Sequence, residues 1–68
     1  MEFIFTKHAK IKMGLLGYTP EEIQESIIKG VKIGPDSRNN IHARRGILEV
    51  VFRKAEKDIV IITLFEIR

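Results

Sequence analysis

A histidine with three lysines around it stands near the start of the chain. His8 lies within residues 5–13, and the lysines occupy positions 7, 10 and 12. An imidazole exchanges protons near neutral pH, and ammonium groups attract phosphate. The combination suits work on a nucleic-acid backbone, which makes His8, Lys10 and Lys12 candidate site residues. The structural alternative is a histidine that bonds to the backbone of a first helical turn, beside lysines that form a solvated helix surface.

A second group of candidate residues is basic and lies in the middle of the chain. The net charge of the whole chain is +3, and the excess of positive charge lies in residues 32–54. That segment contains the cations Lys32, Arg38, Arg44, Arg45, Arg53 and Lys54, and only the acids Asp36 and Glu49. Clustering of one sign attracts polyanions at long range, although a charged surface also serves solubility.

The first half of the chain is expected to hold a strand and two helices. Residues 2–5 are aromatic and β-branched, which predicts a strand, and Thr6 can cap a helix that follows it. Thr19, Pro20 and Glu22 have the spacing of a capping box with proline at the first helical position. This second helix is expected to end at Gly30, a residue that tolerates left-handed geometry.

The second half is expected to be a set of antiparallel strands, because the apolar period changes to two after Gly30. The predicted strands are 31–33, 41–45, 47–54 and 59–67, with a turn-rich segment at 36–40, a hairpin turn at 55–58, and a turn or bulge at Gly46. The last strand is apolar on both faces, with Leu64 sharing a face with Val60 and Ile62. Such a strand is usually covered on both sides, and a second molecule, for example in a homodimer, could supply one cover.

These elements predict a single α+β domain over residues 1–68. Its order is an N-terminal strand, two helices, and a three- to four-stranded antiparallel sheet with the helices packed on one face. The chain has no cysteine, which excludes disulfides and a thiolate zinc site. No metal or cofactor is expected. A cytoplasmic location is expected, because neither a signal peptide nor a membrane span is recognisable.

The order of several motifs makes the chain resemble a family of small, largely uncharacterised prokaryotic domains. The matching segments are residues 8–13, 16–19, 21–30, 46–51 and 61–65. The family's first two motifs are His-Ala-x-x-Arg-Met and Arg-Gly-Ile-Ser/Thr. Lys12 and Leu16 stand at the two arginine positions, so Lys12 keeps the charge without the bidentate fork and Leu16 loses the charge.

That family is similar in fold to the RelE/ParE-like toxins of toxin–antitoxin systems, including the BrnT group. The resemblance implies a metal-independent endoribonuclease that acts on mRNA and is held inactive by an antitoxin protein. RNA or the ribosome would be its other partner.

RNA cleavage without a metal needs a proton acceptor, a proton donor and cations that hold the developing negative charge. The candidate catalytic residues are His8, Arg44 and Arg45, and the candidate RNA-binding residues are Lys10, Lys12, Arg38, His42 and Arg53. Arg44 and Arg45 point to opposite faces of an extended strand, so at most one of them faces a given site. His42 could instead be plain surface, and Glu49 could pair with Arg53 or belong to the site. The alternative function is a non-catalytic nucleic-acid- or protein-binding module on the same scaffold.

Overall fold

A computed structural model describes residues 1–68, in which two helices cover one face of a mixed sheet. The elements are β1 (Phe3–Phe5), α1 (Lys7–Leu16), α2 (Pro20–Lys29), β2 (Val31–Ile33), β3 (Ile41–Arg45), β4 (Leu48–Ala55) and β5 (Asp58–Glu66). The strand order is β1-β5-β4-β3-β2, with β1 parallel to β5 and the other neighbours antiparallel. The expected α+β architecture is confirmed, and β1 joins the same sheet as a fifth strand.

Thr6 both starts α1 and fastens it to the sheet. Its hydroxyl oxygen accepts a hydrogen bond from the Ala9 amide and donates to the carbonyl of Ile62. Its own amide donates to the carbonyl of Ile61.

Each helix has ten residues, too few to cross a membrane.

The capping box of α2 is confirmed, but the reason for glycine at its end is not the expected one. Gly30 has φ −73° and ψ 165°, an extended conformation open to any residue. The constraint is space instead, because a Cβ on Gly30 would lie 2.4 Å from the carbonyl oxygen of Ser26 and 2.9 Å from that of Arg44. The backbone of α2 therefore passes close to β3 only because this residue has no side chain.

The hydrophobic core lies between the two helices and one face of the sheet. Helix α1 packs mainly on β5, and α2 packs on β3 and β4. The largest fully buried side chains are Ile23, Val50, Phe52, Ile61 and Leu64. Because only 15 of the 68 residues are buried, loss of any one of these contacts should weigh heavily on stability.

A β-bulge changes which residues of β5 face the core. Val51 pairs with Thr63 while Phe52 pairs with Ile61, so Ile62 has no partner on β4. The expectation that Leu64 shares a face with Ile62 is therefore wrong, because the extra residue reverses the alternation beyond it. Leu64 joins Ile61 in the core.

The side of the sheet away from the helices, which we call the open face, is not covered by this chain. Four residues at its margins are between 37% and 70% exposed, namely Ile4, Val31, Ile33 and Phe65. We expected β5 to be covered on both of its faces. Within this chain the helices cover only one of them. Towards its middle the open face also carries His42, Arg44, Glu49, Val51, Arg53, Val60 and Thr63.

We expect the same substitution to act in opposite directions at two glycines. Gly30→Ala should lower the free energy of unfolding by about 1–3 kcal/mol, since the new methyl group meets backbone oxygens that must move. Gly14→Ala should raise it by about 0.5–1 kcal/mol, because Gly14 lies within α1 with open space around it. Urea unfolding followed by circular dichroism measures both, and equal effects would contradict the steric account of Gly30.

Candidate active site

Glu49 carries a carboxylate into the middle of the open face, where its side chain is only 8% exposed. It lies on β4 between Arg44 of β3 and Phe65 of β5. Oε1 accepts hydrogen bonds from Arg44 Nη2 at 2.9 Å and Nε at 3.2 Å, and Oε2 lies 2.7 Å from His42 Nδ1. Burial favours the neutral acid, but the bonds from His42 and Arg44 outweigh it and lower the pKa of Glu49 below 4.5.

His42 lies between two carboxylates. Its Nδ1 faces Glu49, and its Nε2 is 3.1 Å from Oδ2 of Asp36. An ionised carboxylate only accepts hydrogen bonds, so this position between two carboxylates favours the imidazolium form, in which both ring nitrogens donate. The bond to Glu49, followed by the bond to Asp36, raises the pKa of His42 above 6.5.

Asp36 is held in place by the segment that connects β2 to β3, residues 34–40, which we call the 34–40 loop. Its Oδ1 accepts hydrogen bonds from the backbone amides of Arg38 and Asn40, at 2.9 and 3.0 Å. The bond from Asn40, followed by that from His42, lowers the pKa of Asp36 below 3.8. At the other end of the loop, Arg53 Nε donates to Oδ1 of Asn40 at 3.0 Å.

These groups surround an open pocket of about 360 Å³. Its lining consists of Ile33, Gly34, Pro35, Asp36, His42, Arg44 and Glu49. The pocket thus offers a carboxylate, an imidazolium and a half-exposed guanidinium within one hydrogen-bonded chain. The imidazole of His42 lies between the carboxylates of Asp36 and Glu49. These three side chains therefore do not converge on a point where a metal ion could bind.

A larger pocket of about 450 Å³ lies on the other side of the sheet, between α2 and the β3–β4 turn. Its acidic groups already have partners. Glu22 closes the capping box, and Glu25 pairs with Arg45. The smaller pocket is the stronger candidate site, because a proton donor, a proton acceptor and an exposed cation meet there.

The fold separates the residues that the sequence placed together. Arg44, His42 and Arg53 share the open face, with Arg38 beside them on the 34–40 loop. His8 and Lys10 are exposed on α1 and Lys12 is half-buried there, in the helical layer behind the sheet. Arg45 turns toward α2 and pairs with Glu25. The three candidate catalytic residues His8, Arg44 and Arg45 therefore do not line one pocket.

Two acidic residues of the site carried little signal in the sequence. Asp36 was expected only as a turn residue. Glu49 was expected either to pair with Arg53 or to belong to the site, and Arg53 in fact bonds to Asn40. One signal in the sequence could have found Glu49. A two-residue hairpin turn at Gly46–Ile47 sets Arg45 opposite Leu48, and therefore Arg44 opposite Glu49. The contact of Asp36 with His42 depends on the path of a loop, which no local pattern specifies.

Comparison with known proteins supports the fold. No protein-family model matches the sequence, and no curated protein matches it. Among solved structures, the chain is similar to one in the toxin–antitoxin complex RelBE2 from Mycobacterium tuberculosis. The TM-score is 0.64 at 18% sequence identity, over 96% of this chain and 95% of the other.

The chain has a RelE-like fold. This agrees with the fold implied by the family resemblance, although the motifs behind that resemblance find no counterpart in a family model. At 18% identity the likeness concerns the backbone, so function in this RelE-like fold has to be argued from its own side chains.

Two neighbouring arginines of this RelE-like fold allow a direct test of the buried carboxylate. Arg44→Ala should lower the free energy of unfolding by about 1–3 kcal/mol, because it leaves the buried Glu49 with one partner instead of two. Arg45→Ala should have a much smaller effect, since it breaks an exposed pair with Glu25. Thermal unfolding at neutral pH compares them, and a larger loss for Arg45→Ala would contradict this description of the site.

Proposed function

We propose that this protein is the toxin of a toxin–antitoxin pair and that it cleaves RNA without a metal ion. The observation that carries the proposal is the carboxylate, imidazolium and guanidinium gathered in one pocket on the open face. These are the proton acceptor, proton donor and anion-stabilising group that such cleavage requires. The similarity to a chain of a toxin–antitoxin complex supports the biological context.

The proposed reaction uses the ribose of the substrate as its own nucleophile. The Glu49 carboxylate takes the proton of the 2′-hydroxyl, and the 2′ oxygen forms a bond to phosphorus. The bond from phosphorus to the 5′ oxygen breaks, and His42 gives that oxygen a proton. Arg44 holds the negative charge on the phosphate. The products are a 2′,3′-cyclic phosphate and a 5′-hydroxyl, with Glu49 protonated and His42 neutral.

The protonation states of the resting site match these roles. The pKa of Glu49 is lowered, which favours the unprotonated base, and the pKa of His42 is raised, which favours the protonated acid. A separation of two titrating groups in this sense is how enzymes run acid and base chemistry together at one pH. His8 stays a candidate from the sequence, in a different part of the molecule.

An RNA-cleavage assay in the presence of EDTA tests the activity. Wild-type protein should cleave single-stranded RNA, and His42→Gln or Glu49→Gln should lower the rate by about 10²- to 10⁴-fold. Arg45→Ala is the matched control for Arg44→Ala, because only Arg44 lines the pocket. Full activity in His42→Gln would overturn this assignment, and loss of activity in His8→Ala would give α1 a catalytic part.

A non-catalytic binding module is the second candidate function. It is favoured by the engagement of both His42 ring nitrogens and both Glu49 oxygens within the protein. Arg38, Arg44 and Arg53 would then bind phosphates, and RNA affinity would fall with added salt. Salt-dependent binding of RNA with no cleavage in the same assay would establish this alternative.

The toxin role predicts a cellular effect and a partner. Expression of the protein should arrest growth, and co-expression of a small protein encoded beside it should restore growth and form a stable complex. Expression of His42→Gln at the same level is the control, and it should not arrest growth if cleavage is the cause. Normal growth with abundant folded wild-type protein would contradict the toxin role.

A further inference from the structure

The pocket contains a carboxylate at the position where an RNA-cleaving site has to bind a negatively charged phosphate. Asp36 lines the pocket beside His42 and Arg44. Its side chain is 38% exposed, whereas that of Glu49 is 8% exposed. Asp36 is therefore the acid that an entering anion would meet first, and it belongs to a loop instead of a strand.

The hydrogen bonds of His42 show which of its protons is available to a ligand. Nδ1 faces inward to the buried Glu49 at 2.7 Å, and Nε2 faces the exposed Asp36 at 3.1 Å. The Nε2 proton is thus the one directed into the pocket. A phosphate oxygen could accept it only where the Asp36 carboxylate now lies.

Arg44 lines the same pocket and has a donor to spare. Its Nε and Nη2 both donate to Glu49, while Nη1 has no hydrogen-bond partner in the protein. The Arg44 side chain is 50% exposed. An anion that displaced Asp36 would therefore find donors from both His42 and Arg44.

We propose that Asp36 is an autoinhibitory group whose carboxylate occupies, at His42 Nε2, the position that a phosphate oxygen takes when a ligand binds. The 34–40 loop must release this carboxylate before a phosphate can enter. Identification of the ligand as an RNA phosphate rests on the proposed function. The competition between Asp36 and a phosphate anion does not depend on cleavage.

The loop is built so that this one contact can open without unfolding the strands. Asp36 and Asn40 bond to each other through their backbones at 2.9 Å, so the loop holds together as a unit. Its base is fastened separately, because Asn40 is buried and bonded to Arg53. Only Oδ2 of Asp36 contacts His42, whereas Oδ1 bonds to amides of the loop itself. A shift of the loop that releases Oδ2 therefore breaks the contact with His42 and leaves the bond between Asn40 and Arg53 in place.

The charge of His42 sets the pH range over which Asp36 competes. The charged groups that contact this ring or share the open face with it are Asp36 from the loop, Glu49 and Arg53 from β4, and Arg44 from β3, while β2 and β5 present the uncharged Ile33, Thr63 and Phe65. The pKa of His42 is raised, so the contact with Asp36 is complete below 6.5 and is lost as pH rises through the raised value. The pKa of Asp36 is lowered, so the contact is also lost as pH falls through a value below 3.8.

Binding of inorganic phosphate, followed by NMR at about pH 6, where His42 is charged, tests the proposal. Asp36→Asn removes the charge but keeps an oxygen for the Arg38 and Asn40 amides, and it should tighten phosphate binding about tenfold. Asp58→Asn is the matched control, because Asp58 is the other aspartate of the chain and bonds to the Glu2 amide instead. It should bind phosphate as the wild type does. Adding His42→Gln to Asp36→Asn should abolish the gain.

Either of two results would overturn the proposal. One is phosphate binding no tighter in Asp36→Asn than in the wild type, with resonances that show a folded protein. The other is an equal gain in Asp58→Asn, which would reduce the effect to net charge. RNA cleavage together with unchanged phosphate affinity would reject the autoinhibition alone, whereas tighter phosphate binding without any cleavage would reject the ribonuclease alone.

Discussion

The buried carboxylate of Glu49 is the interaction on which the open face is organised. A charge with so little contact with solvent is costly unless hydrogen-bonded cations surround it. Arg44 and His42 supply them, one to each carboxylate oxygen. Their positions follow from the β3–β4 hairpin, which sets Arg44 directly opposite Glu49. With one ring nitrogen committed to Glu49, the other nitrogen of His42 is left facing the pocket and Asp36.

The two faces of the sheet have different roles, because one packs the hydrophobic core and the other carries the ion network. The helical side holds the core, where Phe52, Ile61 and Leu64 pack under α1 and α2. The open side has no covering layer from this chain and carries an ion network at its centre, with apolar side chains at its margins. A chain of 68 residues has too few elements to cover both faces. The uncovered face is therefore where ligands or partners can reach the network.

The fold is supported by similarity to another protein, whereas the site is supported only by the side chains of this chain. The RelE-like fold is shared with a chain of a toxin–antitoxin complex at 18% identity, so its backbone tolerates wide changes of sequence. The network of Glu49, His42, Arg44 and Asp36 is a property of these particular side chains. Many chemistries occur on one scaffold, so the proposal of proton transfer at a phosphate rests on this network and not on the fold.

Local patterns in the sequence determined the elements of this protein. The capping box at Thr19 and Glu22 started α2 where expected, and the alternation around Val50 marked β4, because caps and periods depend on residues close together in the chain. The same patterns missed the bulge at Ile62, which arises from how two strands align, and so they assigned Leu64 to the wrong face.

Tertiary structure alone decided the composition of the site. The sequence named His8, His42 and Arg44 among several candidates and left Glu49 as a possible member of the site, whereas the fold placed His42 against Glu49 and brought Asp36 to it from the 34–40 loop. Register across a hairpin and the path of a loop bring two carboxylates to one imidazole and raise its pKa. These depend on residues distant in the chain or on a backbone path without a repeating pattern, so they appear only once the chain is folded.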